Sequence, residues 1–295
     1  MPQSGEILVL NAENMDDFHF GNIKWNLPIR NASKSFHINK LEDFRPFFHF
    51  PLPPHRKEVI DIIYITKGVS VRSKGLNQYE FGANELFVLP AYQITSHDAM
   101  SEDIEGYFLH ADPQIIQKGS STTLDFPILD FFTNPVVQIP EEVHSTFLTI
   151  LKRLENLYQQ KNEIDFDLIG YYLTVLLKEI SNFSAPSEPK KSASHLILQK
   201  YKEALSELIY QKQKVADYAE HLNISPNHLN KCVKQLTGKS AQDILNEMLI
   251  LEAKSLLKYS DLQIAEIAQK LMNQSPSNFS RFFKTQTGLT PKEYK

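Results

Sequence analysis

The C-terminal third of this chain repeats itself, and the repetition restricts the fold more than any other feature of the sequence. Ser225-Pro226 recurs as Ser275-Pro276, and Lys234-Gln-Leu-Thr-Gly238 recurs as Lys284-Thr-Gln-Thr-Gly288. Between them Leu229, Lys231 and Val233 answer to Phe279, Arg281 and Phe283, again fifty positions on. Just upstream the offset falls to forty-nine, with Val215, Ala219 and Leu222 matching Ile264, Ala268 and Leu271. One residue has been added between the two blocks, where a turn absorbs it at least cost.

Each copy reads as helix, tight turn, helix. In the first, Val215, Tyr218, Ala219 and Leu222 share one helical face, and Ala219 is small where two helices would touch. Ser225 then offers an oxygen to the unpaired amides of a new helix, and Pro226 suits that helix's first position. Leu229, Cys232 and Val233 turn inward, leaving Asn227, His228, Asn230, Lys231 and Lys234 outward. The second copy turns Phe279, Phe282 and Phe283 inward and Ser277, Asn278, Ser280, Arg281 and Lys284 outward. The second helices span about 226–236 and 276–286. Asn can pair with adenine edges, and Arg and Lys with guanine, so these faces suit the major groove of double-stranded DNA. Lys234, Lys239 and Lys284 are placed to meet phosphates.

Ala241 to Lys258 connects the copies, with Ser240 and Asp243 offering a capping box at its start. Eighteen helical residues span about 27 Å, against about 34 Å between major-groove faces on one side of a duplex. Thr290-Pro-Lys-Glu293 reads as the start of a closing helix. Charge follows the same division. Residues 190–295 hold 16 Lys and Arg against 10 Asp and Glu, while the remainder holds 15 against 25. A basic end on an acidic body suits a domain that meets phosphates.

The polar, proline-bearing stretch Ser184 to Ser194 reads as a linker. Domains are therefore expected at 1–183 and 195–295, with 184–194 between them. Before about Pro140 the chain holds short β-branched and aromatic runs, such as Val59 to Thr66, Val69 to Arg72 and Glu85 to Leu89, parted by Gly, Asn and Pro. Such spacing predicts an antiparallel sandwich or barrel. Two amphipathic helices follow, one on Val143, Phe147, Ile150, Leu151, Leu154 and Leu157, the other on Phe166, Ile169, Leu173, Leu176 and Ile180. They are expected to pack on the barrel, to close a homodimer, or to do both with different faces; in the pairing reading, charges at Leu151 and Leu154 would weaken the dimer. The single cysteine, Cys232, excludes a disulfide framework. The start of the chain lacks a secretory pattern and no run is long enough to span a membrane, so a cytoplasmic protein is expected.

With these residues in view, the chain resembles the AraC/XylS-type (arabinose-regulator) family. The resemblance is carried by Ile267-Ala268, Phe279-Ser-Arg-Phe-Phe-Lys284, Thr287-Gly288, Pro291 and Tyr294-Lys295, and by Leu249-Ile-Leu-Glu-Ala-Lys254 between the copies. It is specific over about residues 195–295 and architectural before that. It implies an α+β chain: an N-terminal cupin-like antiparallel β-barrel with two helices, then an all-α domain of two helix-turn-helix units joined by a linker helix. It also implies promoter binding, activation through RNA polymerase, and a sensing or dimer domain. Carried over, the base-facing positions fall on Asn227, Asn230, Lys231, Ser277, Ser280 and Arg281. The chain departs from the family pattern at Met272-Asn273, where Gly and an aromatic are common, and at Met248, where Arg is frequent. The second unit is therefore expected to be the less regular.

A small-molecule effector inside the barrel would meet His55, Arg56, Glu58, Tyr64 and Arg72, which are candidates by residue type. The alternation of Ile60, Ile62, Tyr64 and Thr66 against Val59, Asp61, Ile63 and Ile65 leaves open which face looks inward. The rival reading is a metal-dependent cupin-type enzyme with a helical appendage. Pro54-His55-Arg-Lys-Glu58 puts lysine where a second histidine would sit, and an ammonium cannot coordinate a metal. His97 and His110 lie on plausible strands, yet no nucleophile elbow, phosphate loop or dinucleotide fingerprint accompanies them. No enzyme, no cofactor and no metal are expected.

Overall fold

A computed structural model describes residues 8–10, 35–75, 77–119, 125–129, 133–159, 164–183 and 193–295. Of the expected linker at 184–194, residues 184–192 lie outside the described residues, and Ala193 and Ser194 are corrected to the first turn of a helix. The described residues divide into two units, one within Val9–Ser187 and the other within Glu188–Lys295. No described helix is long and apolar enough to cross a membrane.

The first unit holds ten described strands in two five-stranded sheets, and every pairing that is registered is antiparallel. In one, the order is β1 (Leu8–Leu10), β3 (Leu52–Lys57), β8 (Ile94–Met100), β5 (Val69–Lys74), β6 (Asn77–Gly82). In the other it is β10 (Val136–Gln138), β7 (Glu85–Leu89), β4 (Ile60–Lys67), β9 (Glu105–Ala111), β2 (Phe36–Lys40). Of the expected antiparallel sandwich or barrel, the chain forms two sheets, each ending in its own edge strands, so the cupin-like barrel is not closed. Ile63 and Ile65 from one sheet and Phe81 and Met100 from the other fill a shared core.

The central strand β4 explains why its sequence pattern gave no inner face. Ile60, Ile62 and Tyr64 enter a core with the helices, whereas Ile63 and Ile65 enter the core between the sheets. Residues 60–65 are all buried, because both faces of this strand are covered. The cover on the helical side is α3 (Glu141–Tyr158) and α4 (Phe166–Phe183). Leu151 and Leu154 are 1% and 0% exposed inside that core, so the expectation that they serve pairing is corrected: they hold the helix on the sheet. A short helix, α2 (Pro113–Lys118), with α1 (Leu41–Phe44) before it in the chain, packs on α4 at Gly170. A Cβ there would stand 2.5 Å from the Ile115 carbonyl oxygen, so only glycine lets the two backbones meet.

The second unit is helical: α5 (Ala193–Leu208), α6 (Val215–His221), α7 (Pro226–Thr237), α8 (Ala241–Tyr259), α9 (Ile264–Met272), α10 (Pro276–Thr287) and α11 (Pro291–Tyr294). The long α8 packs against α5, α6 and α7 at one part and against α9 and α11 at another. Ile244, Leu245, Met248, Leu249, Ala253, Leu256 and Leu257 are its buried side. Met248 is itself 1% exposed, a core side chain where an arginine would reach for solvent or phosphate.

Candidate nucleic-acid interface

The two repeated helices, α7 and α10, begin in the same way. Ser225 Oγ accepts the His228 N–H at 3.2 Å and Ser275 Oγ accepts the Asn278 N–H at 3.3 Å, with Pro226 and Pro276 at the first helical positions. Both end on a glycine in the left-handed region, Gly238 at φ 73° and Gly288 at φ 82°, a conformation in which a Cβ is disfavoured. Leu229, Cys232 and Val233 are buried in α7, as are Phe279 and Phe283 in α10, while Phe282 is half-buried. The fold then leaves one polar edge outward on each helix.

On that edge Asn227, His228, Asn230, Lys231 and Lys234 are exposed, as are Ser277, Asn278, Arg281 and Lys284; Ser280 is half-buried. Several of them are already engaged within the unit. Asn230 Oδ1 accepts the Ala241 N–H at 3.0 Å, satisfying the first amide of α8. Its counterpart Ser280 faces no such donor from Pro291, which carries no N–H. Asn230 is thus a structural cap within its own unit as well as a base-facing candidate. Arg281 Nη2 donates to Asn278 Oδ1 at 3.3 Å, so the two sit side by side one turn apart. Lys239 pairs with Glu247 at 2.5 Å on the surface, a contact that solvent makes cheap to exchange for a phosphate.

Both turns place an asparagine in the left-handed region, Asn223 at φ 55° and Asn273 at φ 50°. Asparagine visits that region more readily than other residues with a Cβ. Met272 stays helical as the last residue of α9, and Asn273 is exposed, its Oδ1 accepting from Gln269 Nε2. The expected irregularity of the second unit is absent at this turn. The added residue lies just before it. In the first unit the Ile224 N–H reaches Ala219 O at 3.0 Å, and in the second the Gln274 N–H spans one residue more to Ala268 O at 3.4 Å.

The closing helices repeat a capping box. Asp243 and Ser240 exchange bonds at the start of α8, and Glu293 and Thr290 do so at α11. Side-chain and backbone hydrogen bonds from Ser240 hold the Asp243 carboxyl below its usual range, and those from Thr290 do the same for Glu293.

A second site lies in the first unit. A cavity between the sheets is lined by Lys57, Asp61, Arg72 and four histidines, His37, His55, His97 and His110, among apolar neighbours. Asp61 Oδ2 accepts from Lys57 Nζ at 2.5 Å and from Arg72 Nη2 at 2.9 Å. Burial works against the Asp61 carboxylate, yet Arg72, Lys57 and His110 outweigh it and hold its carboxyl well below the usual carboxylate range. Burial pulls the Lys57 ammonium down to about 8, with Asp61 opposing and Arg72 adding to the shift. Burial also keeps His37, His97 and His110 neutral, lowering His37 to about 3 with help from His110 and Lys57. Asn39 Nδ2 donates to His37 Nε2 at 2.6 Å, which leaves His37 Nδ1 to donate to Tyr158 Oη on α3 at 3.1 Å.

Of the five effector candidates, His55 and Arg72 line this cavity and the other three do not. Tyr64 lies in the helical-side core and pairs with His144 of α3. Arg56 is bound to the Tyr92 carbonyl, and Glu58 is half-buried between β3 and β4. Lys57 and Asp61, the centre of the cluster, were not among the candidates. Their signal was the single acidic residue inside an otherwise apolar β4 run, which needs a cation wherever it is buried. Among the described residues no group of three or more His, Cys, Asp or Glu could hold a metal.

Comparison with known proteins places the second unit. Residues 218–295 match the helix-turn-helix domain family. The HTH-type regulator YtdP of Bacillus subtilis is 33% identical over 79 residues, 27% of this chain and 10% of that protein. YisR, of the same organism, is 26% identical over 259 residues, 80% of this chain and 85% of YisR. The transcriptional activator RhaR of Cronobacter sakazakii is 31% identical over 78 residues, 26% of this chain and 28% of RhaR. The chain thus spans about a tenth of YtdP and under a third of RhaR, but most of YisR. Among solved structures, ToxT of Vibrio cholerae is similar with a TM-score of 0.41 at 16% identity, over 88% of this chain and 97% of ToxT. Residues 218–295, within the second unit, are thus similar to the helix-turn-helix domains of these transcription regulators.

Proposed function

We propose that the chain is a transcription regulator that binds promoter DNA through α7 and α10 and activates through RNA polymerase. The observation that carries this reading is the duplicated capped helix, each copy presenting an exposed polar edge from a buried apolar seat. α8 has 19 residues, or about 28 Å of helix, long enough to set two such edges toward successive grooves. Asn227, His228, Asn230, Lys231, Ser277, Asn278, Ser280 and Arg281 would read or approach bases, and Lys234, Lys239 and Lys284 phosphates. Residues 1–183 serve as a sensing and pairing domain, 184–194 as a linker and 195–295 as the DNA-binding domain. A DNA partner places the protein in the cytoplasm. We read it as a regulator and not an enzyme, in keeping with the helix-turn-helix domain matched over residues 218–295.

Pairing as a homodimer has its best surface on α4. Tyr171 and Val175 are 52% and 47% exposed, one turn apart on that helix. Tyr171→Glu with Val175→Glu is expected to lower the sedimentation coefficient to a monomer's while the far-ultraviolet spectrum stays unchanged; an unchanged dimer would remove this surface from the account. For DNA binding, the full chain is incubated with a random duplex pool and selected over several rounds. An enriched sequence bound with a steep salt dependence is expected, and a pool that stays unenriched at low ionic strength contradicts the proposal.

A further inference from the structure

The cavity between the sheets carries a charge that its own residues do not balance. Lys57 and Arg72 share one carboxylate oxygen of Asp61, at 2.5 and 2.9 Å, and among the described residues Asp61 is the only acidic one lining the cavity. Two cations against one anion leave one positive charge in a site where Lys57, Arg72 and Asp61 side chains are 3%, 2% and 1% exposed. The four histidines lining it supply no negative charge. An uncompensated buried charge is unfavourable and is relieved by a counter-ion. An independent observation points the same way. Arg72 Nε is buried and has no hydrogen-bond partner among the described residues, although its Nη2 is engaged. A guanidinium edge with an unused N–H is the donor that a carboxylate takes side-on. The rest of the described wall is apolar, including Phe48, Ile63, Met100 and Phe108.

We propose that this cavity binds a small organic monocarboxylate, its carboxylate on the Arg72 Nε edge and on Lys57, its carbon body against Phe48, Ile63, Met100 and Phe108. One surplus charge matches a carboxylate, whereas a phosphate monoester carries nearly two and would overshoot. The inference deepens the regulator reading, since it names the chemistry of the effector.

The test titrates the full chain with hexanoate and phenylacetate, with hexanol and hexylamine as neutral and cationic bodies, and with inorganic phosphate, by calorimetry and thermal unfolding. The acids are expected to bind saturably and raise the melting temperature. Hexanol, hexylamine and phosphate should be weaker by on the order of tenfold or more, the worth of one charge-assisted contact. Lys57→Gln should weaken hexanoate by a similar factor. Asp61→Asn, which removes the competing carboxylate, should tighten it, a direction that a merely structural role for Asp61 would not produce. Acid and alcohol binding equally, phosphate preferred, no acid bound at millimolar concentration, or a folded Lys57→Gln with unaltered affinity would each overturn the proposal. Should either variant fail to fold, the wild-type ligand series alone decides. DNA affinity measured on the same samples separates the two readings: DNA bound without acid sinks only the effector class, while a chain that binds acid and ignores DNA sinks the regulator.

Discussion

The two units of this chain treat polar residues in opposite ways. In the helical unit the polar side chains that matter stand on exposed edges of α7 and α10, anchored by Leu229, Val233, Phe279 and Phe283 beneath them. In the sheet unit the polar side chains that matter are inside, with Asp61, Arg72, Lys57 and His55 all under 5% exposed. The contrast teaches where each unit can spend stability on function. An outward residue can be changed at little cost to folding, so the outward edges of the helical unit tolerate substitution. A buried charge cluster is part of the core, so altering its chemistry alters the fold's stability with it.

The contrast can be broken most sharply at the ion pairs. Asp61→Ala strips two buried cations of their partner and is expected to destabilise the sheet unit by about 3–5 kcal/mol, read as a fall in its denaturant midpoint. Glu247→Ala, which breaks the exposed pair with Lys239, should cost no more than about 0.5 kcal/mol. Equal losses would erase the distinction between the units.

Acid provides the next test. His37, His97 and His110 have lowered pKa values in the folded state, so below about 6.5 the unfolded chain takes up protons that the folded chain refuses. Stability of the sheet unit should therefore fall as pH drops from about 6.5 toward 5, by at most about 1.4 kcal/mol per pH unit for each histidine. The Asp61 contribution is lost only at lower pH, below its unfolded value of 3.8. A flat profile for the sheet unit would show that the buried histidines titrate freely.

Smaller effects sharpen the surface side of the comparison. Arg281→Ala and Lys231→Ala should each weaken specific DNA binding by about 1–3 kcal/mol while leaving thermal stability unchanged. Asn230→Ala should do what they do not and lower stability, by about 1 kcal/mol, because the Ala241 amide loses its acceptor. Ser280→Ala at the matching place should be nearly silent in unfolding, since Pro291 has no amide to satisfy. An Asn230→Ala protein of wild-type stability would return that residue wholly to base reading.

How much was legible in the sequence follows from the same contrast. The helical unit could be read because its signals are local: Ser225 and Ser275 cap amides three residues on, Gly238 and Gly288 end the helices, and the apolar seats recur at helical spacing. What escaped there was also local but double in use, as with Asn230, an outward residue that also caps α8. In the sheet unit the strands were legible and the site was not. Lys57, Asp61, Arg72 and His110 come together from four strands, β3, β4, β5 and β9, through registers that a single sequence does not disclose. With both faces of β4 covered, its alternation carried no direction, and it did not decide between the sandwich and the barrel, which the two sheets with separate edges do. Met272-Asn273 misled for a different reason. The family pattern there is glycine and an aromatic, but Met272 stays in the helix and Asn273 takes the left-handed position in its place.

The most direct test of the central claim is hydroxyl-radical footprinting of the full chain on its selected duplex. The account predicts two protected segments on one face of the DNA, their centres about one helical turn apart, with Lys231→Ala relaxing one and Arg281→Ala the other. A single protected segment that both substitutions weaken alike, or protection that ignores both, would contradict it.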